Sequence, residues 1–270
     1  MGRLFRAFFF KIRKEPSFRV TLIIGASIAI VMSLLYLLID NATGSSLLSG
    51  PNMLLNSMSP VQNFGIAIPI NLISFTCLEF TQGTIRNKII AGNSKFKIYV
   101  SLFLTGLIYA FSLLLVYAGI CTLLGVIFGG FDLEKGVMVG LYGGGLPSGK
   151  FILQMIVVYL AVYVFLTSIA VFFGTTFRTI GPTISVVVVT LLIAYFGSTI
   201  AIAFFRDDEG MLTFFRIIDP LFGLVDVSID SSSVLYYENN TFILGLVSNF
   251  VYAAIFFAAG SLIFKHRDVK

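Results

Sequence analysis

The chain has 270 residues, 57% hydrophobic and 11% charged, with a net charge of +5 and a mean hydropathy of +0.98. A water-soluble domain of this length carries roughly 25% charged residues. The polar surface needed to keep a core in water is missing, so the sequence reads as an integral membrane protein.

Residues 1–15 contain RLFRAFFFKIRK. Leu4, Phe5, Phe8, Phe9 and Ile12 fall roughly along one helical face, with Arg3, Arg6, Lys11 and Arg13 mostly elsewhere, which predicts a helix lying in the membrane interface. A disordered basic leader is the alternative. A helix needs about 20 apolar residues to cross the hydrocarbon, and 20–39 is the first such span, opened by Pro16. It is too long for a signal-peptide core and is read as retained. The second span is 61–78, and the third, 98–122, sits in a run long enough to be tilted or continued beyond the bilayer. Residues 151–205 hold a single charge, Arg178, and divide into spans 151–174 and 182–205. Gly174 and Gly181-Pro182 supply the stop and the restart. The sixth span is 242–264. The whole of 1–270 is one transmembrane domain.

Fourteen of the eighteen Lys and Arg fall in the N-terminal 19 residues, the 79–97 island, the 174–182 turn and the C-terminal tail, while ten of the thirteen acids fall on the other face. Bases that flank spans stay cytoplasmic. Both termini and 79–97 are therefore expected inside, and the loops 40–60, 132–150 and 206–241 outside. The positive charge reads as a collar for anionic lipid, worth about 1 kcal/mol per base, and not as a nucleic-acid surface. Within 206–241, MLTFFRIIDPLFGLVDV is too apolar for a free loop and is broken by Asp219-Pro220. A re-entrant helical pair before span 6 satisfies its backbone; a cap on the outer surface is the alternative. The preceding RDDE reads as solvated charge. Asn41 and Asn239 formally match glycosylation acceptors, relevant only in a eukaryotic secretory membrane.

Catalytic chemistry is sparse. Cys77 and Cys121 lie inside spans at no metal-ligand spacing and read as packing thiols. The lone His266 sits between Lys265 and Arg267 as a solvated tail residue, so no Ser/His or Cys/His nucleophile pair assembles. Every carboxylate falls at or beyond a span end, which leaves no intramembrane proton relay. GGLPSGK at 144–150 fits the opening of a phosphate loop, but Phe151 follows where Ser or Thr must hold magnesium. The chain is not expected to be an enzyme, and no metal site is expected.

The island 79–97 lies between stretches without charge, Asn41–Leu78 and Ile98–Phe131. A short helix suits it: Ile85 and Ile89 make an apolar strip, with Arg86, Asn87 and Lys88 turned elsewhere. Gly92 can end that helix in a left-handed turn and Ser94 can cap the next. Two readings stand, a rigid handle for a soluble partner and an ordinary basic loop.

The run EFTQGTIRNKIIAGNSK, from Glu79 to Lys95 and followed by an apolar helix, resembles the cytoplasmic loop of permease subunits of type-2 ABC exporters. That family commonly shows an acid, Gly-Thr, a basic residue, an Ile- or Leu-rich piece and Ser-Arg or Ser-Lys before the third span. The local likeness covers about 79–104; the plan of interfacial helix, six spans, long outer loop and basic ending covers the chain. Lys95 stands where Arg is frequent, Gly92 where Pro is frequent and Leu102 where Lys is frequent, which leaves subfamily and substrate open.

The resemblance implies an all-α fold of six transmembrane helices, with a coupling helix between spans 2 and 3. It implies a pair of permease chains seated on two copies of a separate ABC-type ATPase subunit. ATP and magnesium are then held by that partner and no cofactor by this chain. Coupling falls to Glu79, Gly83, Thr84, Arg86, Lys88, Gly92 and Lys95, with Arg86 and Lys88 meeting acidic partner groups. The location implied is the cytoplasmic membrane of a bacterium. In the second span Gln62, Asn63, Pro69 and Asn71 either line a route for an amphipathic or lipophilic cargo, such as a peptide or drug-like molecule, or hydrogen-bond between helices. The rival class is a membrane protein outside the ABC group: a channel, a secondary transporter or an assembly or sensor component.

Overall fold

A computed structural model describes residues 6–10, 14–43, 48–60, 65, 67–131, 149–205, 208–219 and 241–267. The described residues are helical apart from short turns and connections, with no strand among them. In chain order the helices are α1 (Pro16–Thr43), α2 (Gly50–Met58), α3 (Ala67–Thr81), α4 (Thr84–Ile90), α5 (Lys95–Gly129), α6 (Gly149–Phe177), α7 (Ile180–Phe205), α8 (Glu209–Ile218) and α9 (Thr241–His266). Residues 6–10 are also helical. Five helices (α1, α5, α6, α7 and α9) are long and apolar enough to cross a membrane. The expected second span is represented by α3, whose 15 residues extend roughly 22 Å against the 30 Å of hydrocarbon.

The order of the bundle follows from which helices bury their faces. In the most apolar stretch of α6, 67% of the residues are buried, against 17% in α1 and α9, so α6 is the central post. Its most extensive partner is α9. The seam is aromatic: Phe165 meets Tyr252 at 6.2 Å between ring centroids and Phe172 meets Phe256 at 5.4 Å, tilted and edge contacts of the kind rings favour. Phe257 of α9 then reaches Tyr99 and Phe103 of α5 at 5.4 and 5.0 Å.

Small residues bring the remaining helices together. A Cβ on Gly174 of α6 would lie 2.9 Å from Thr76 of α3, and one on Gly129 of α5 would lie 2.5 Å from the Leu48 carbonyl oxygen. These are the close approaches that glycine permits between membrane helices.

Helix α1 runs parallel to α5 and out of step with it. Phe18 packs tilted against Tyr109 with ring centroids 4.8 Å apart, and Cys121 donates to the Ala29 carbonyl at 3.8 Å. Both contacts carry an offset of about 91 residues, so Pro16 stands level with residue 107, twelve residues or roughly 18 Å above Lys95 at 1.5 Å per residue. The Asn71 amide of α3 rivets this start: Thr21 donates to its Oδ1 at 3.2 Å and its Nδ2 donates to the Ala67 carbonyl at 2.9 Å.

Several expectations change. The outer loop expected at 40–60 contains α2, packed against α5 and α6 with Asn52, Asn56, Ser57 and Met58 all buried. Pro51 sits in the first helical turn, where its missing N–H costs nothing. Pro69 is likewise in the first turn of α3 and frees no mid-span carbonyl. In the RDDE run Asp208 is a cap: its carboxylate accepts from the Gly210 and Met211 N–H groups at 3.0 and 3.1 Å. Where a re-entrant pair or an outer cap is expected, the described residues hold one short helix, α8, and 220–240 lie outside the described residues. So do Gln62, Asn63 and 144–148.

Candidate functional site

The bases gather at one end of the bundle. Lys95, at the start of α5, donates to the carbonyl oxygens of Lys265 and Arg267 at 3.2 and 2.9 Å. Arg267 in turn donates to the Thr176 carbonyl. The unsatisfied carbonyls of a helix end carry partial negative charge, so cations settle there; α5, α6 and α9 are thereby lashed together. Arg178 closes α6 in a left-handed conformation, φ +62°, with its guanidinium 5.4 Å from the Phe80 ring centroid. Burial, and then the neighbouring charge of Arg267, holds Arg178 below the usual arginine range.

Within this end lies the corner between α3 and α4. Glu79, the last acid of α3, is fully buried. Its Oε2 accepts from Lys88 Nζ at 2.8 Å. The Thr84 hydroxyl sits between the same Oε2, at 2.5 Å, and the Glu79 carbonyl oxygen, at 2.8 Å. Above the pair, Lys88 Nζ lies 3.1 Å from the Phe8 ring centroid. The ammonium is therefore held between a carboxylate and a ring face, each attractive to a desolvated cation. A carboxylate taken out of water is tolerable only with such partners.

Local sequence explains the turn. Gly83 takes φ +65° at the head of α4 and Gly92 takes φ +84° beyond its end, backbone that a Cβ strains. Ile85 is fully buried, and Ile89 packs on the core. Arg86 and Asn87 are exposed, as is Ile90. Asn93 donates to the Lys88 carbonyl at 3.0 Å, and Ser94 caps α5 by accepting from Lys97 N–H at 3.4 Å.

Of the residues singled out for coupling, Glu79, Thr84 and Lys88 meet in one cluster, Gly83 and Gly92 frame it, and Lys95 is turned to the end of α9. Arg86 alone of the two paired bases faces outward. Lys88 meets an acid of its own chain. Phe8 was placed in a lipid-facing strip by the sequence; it is 1% exposed and belongs to this cluster. Nothing in the spacing of Phe8 and Lys88 announces that contact, because eighty positions separate them. Among pathway candidates, Pro69 is buried and Asn71 joins α3 to α1. Cys77 and Cys121 are buried, and among the described residues no three His, Cys, Asp or Glu come together to hold a metal. Compared with known protein families, with curated proteins and with solved structures, the chain matches none.

Proposed function

We propose that the chain is the membrane-spanning subunit of a transporter driven by a separate ATPase, and that α4 is the surface on which that ATPase acts. One observation carries the reading: α4 is a short helix at the basic end, tied to α3 by a buried acid and exposing Arg86 and Asn87. A push on such an element reaches α3 without slack, because Glu79, Thr84, Lys88 and Ile85 share one packed corner. An ordinary positively charged loop has no need of a fully buried partner for one of its bases.

In this reading two permease chains and two ATPase subunits form the assembly, with ATP and magnesium on the ATPase. Arg86 meets an acidic group of that partner, and the cargo is amphipathic or lipophilic. The basic end faces the cytosol of a bacterial cell.

Purification of the full-length chain from native membranes should bring with it an ATPase carrying a complete phosphate loop. In vesicles of that complex, Arg86→Glu sets like charges against each other across the contact, a cost of several kcal/mol. Transport-coupled ATPase should then fall tenfold or more, while the thermal midpoint of the permease stays put. Retained coupling, or labelling of Arg86→Cys by an impermeant thiol reagent added outside intact cells, overturns the reading.

A further inference from the structure

The bundle carries a groove of about 610 Å³ between α2, α5 and α6, lined by Leu54 and Met58, Phe111, Gly119 and Leu123, and Leu160 among others, with no polar surface. We infer that this groove is a binding site for one acyl tail of a membrane phospholipid. The site is separate from the α3–α4 corner and does not rest on the proposed function.

Four observations fix the occupant. The surface the groove exposes is apolar, the one hydroxyl residue in its lining, Thr122, contributing no polar area, which excludes a charged ligand as the group it was shaped for. The volume falls inside the roughly 300–1,000 Å³ of small-ligand pockets. Along α5 the lining runs from Phe111 to Leu123, twelve residues or about 18 Å, against roughly 15 Å for one leaflet's half of the hydrocarbon. The outer lip is continuous with the bilayer-facing side of α5, where Leu115, Leu123 and Ile127 are 74%, 64% and 70% exposed. A tail can therefore slide in sideways without leaving hydrocarbon.

The floor has a gap where a side chain is absent. A Cβ on Gly119 would meet no atom within 4 Å, unlike Gly125 and Gly129 on the same helix, whose Cβ positions are filled by Met53 and Leu48. Those two glycines are required by packing against α2 and its approach; Gly119 is left facing the groove. The groove also occupies the half of α5 away from Lys95.

The chain contains no tryptophan, so a single inserted one reports without background. Full-length Phe111→Trp is reconstituted in phosphatidylcholine vesicles whose tails carry bromine, a contact quencher of indole fluorescence. Ile193→Trp, on the exposed face of α7, is the control for ordinary lipid contact. Quenching at 111 should at least match the control. Adding Gly119→Phe, which fills the groove, should at least halve it and leave quenching at 193 unchanged. Gly119→Met repeats the test with a slimmer filler should the aromatic variant fail to fold, folding being checked by helical circular dichroism. Two results overturn the proposal. Quenching at 111 that ignores both fillers means only general lipid contact. No quenching at 111 with the groove unfilled means that a second copy, or another part of the chain, covers it.

Discussion

The two short helices α4 and α8 stand at opposite ends of the bundle and solve the same problem differently. Each is too short to hold itself together, since isolated helices under about 12–15 residues are marginal in water. Helix α4 is tied by a carboxylate to an ammonium, Glu79 to Lys88, and shows Arg86 and Asn87 outward. Helix α8 is tied by hydroxyl and backbone donors: Ser198 of α7 donates to Asp219, Asp208 caps the first turn, and Phe205 meets Phe215 at 5.7 Å. Outward it shows Phe214, Ile217 and Ile218, all about half exposed. A charged outer face belongs in water or against a soluble protein. A face of aromatic and branched aliphatic side chains belongs in lipid or its interface. The contrast makes α4 the better candidate for a soluble partner and gives α8 an outer face suited to lipid.

The largest expected effect breaks the tie under α4. Lys88→Met leaves a buried carboxylate without its cation and should cost about 3–5 kcal/mol, read as a lowered thermal midpoint of the purified chain. Arg86→Met, two residues away and exposed, should move that midpoint by no more than about 0.5 kcal/mol. Equal effects would erase the distinction between inner and outer face. At the other end, Ser198→Ala removes a donor to Asp219 and should cost about 1–1.5 kcal/mol, seen as faster amide exchange in 209–218 with 84–90 unaffected. Asp208→Ala should loosen the same helix by about 1 kcal/mol. At the basic end Gly83→Ala should cost about 1 kcal/mol for a Cβ at φ +65°, and it should fall on α4 alone.

This contrast also corrects a mutational design that sequence alone recommends. Reversing Arg86 and Lys88 together looks like a test of partner docking. Since Lys88 already pairs with Glu79, the double reversal would place two acids in one buried corner and report on folding. Arg86 is the residue that isolates docking.

Much of the frame was legible because hydropathy and helix punctuation act locally. Pro16 opens α1, Gly92 takes left-handed backbone, Ser94 caps α5, and Ile85 faces inward, each as its own residue type dictates. The island between apolar runs was visible as charge. What the pattern hid was long-range or inverted. Helix α2 turns Asn52, Asn56 and Ser57 inward, against the usual polarity rule, because α5 and α6 surround it. Lys95 finds the end of α9, 170 positions away, and no local rule anticipates such a partner. Glu79 and Lys88 sit nine apart across a turn, beyond the three- and four-residue spacing by which helical ion pairs are found. Asp208, by contrast, was available to a reader as a helix start, an acid ahead of an apolar run.

The nine-residue reach of the Glu79–Lys88 tie bears on biogenesis. Chain emerges from the ribosome at about 5–20 residues per second, so both partners are present within seconds of each other, long before α6 and α9 exist. Phe8 has by then already been made. Phe8, Glu79, Thr84 and Lys88, the four side chains that meet in the corner, are thus all made before the helices that pack behind them.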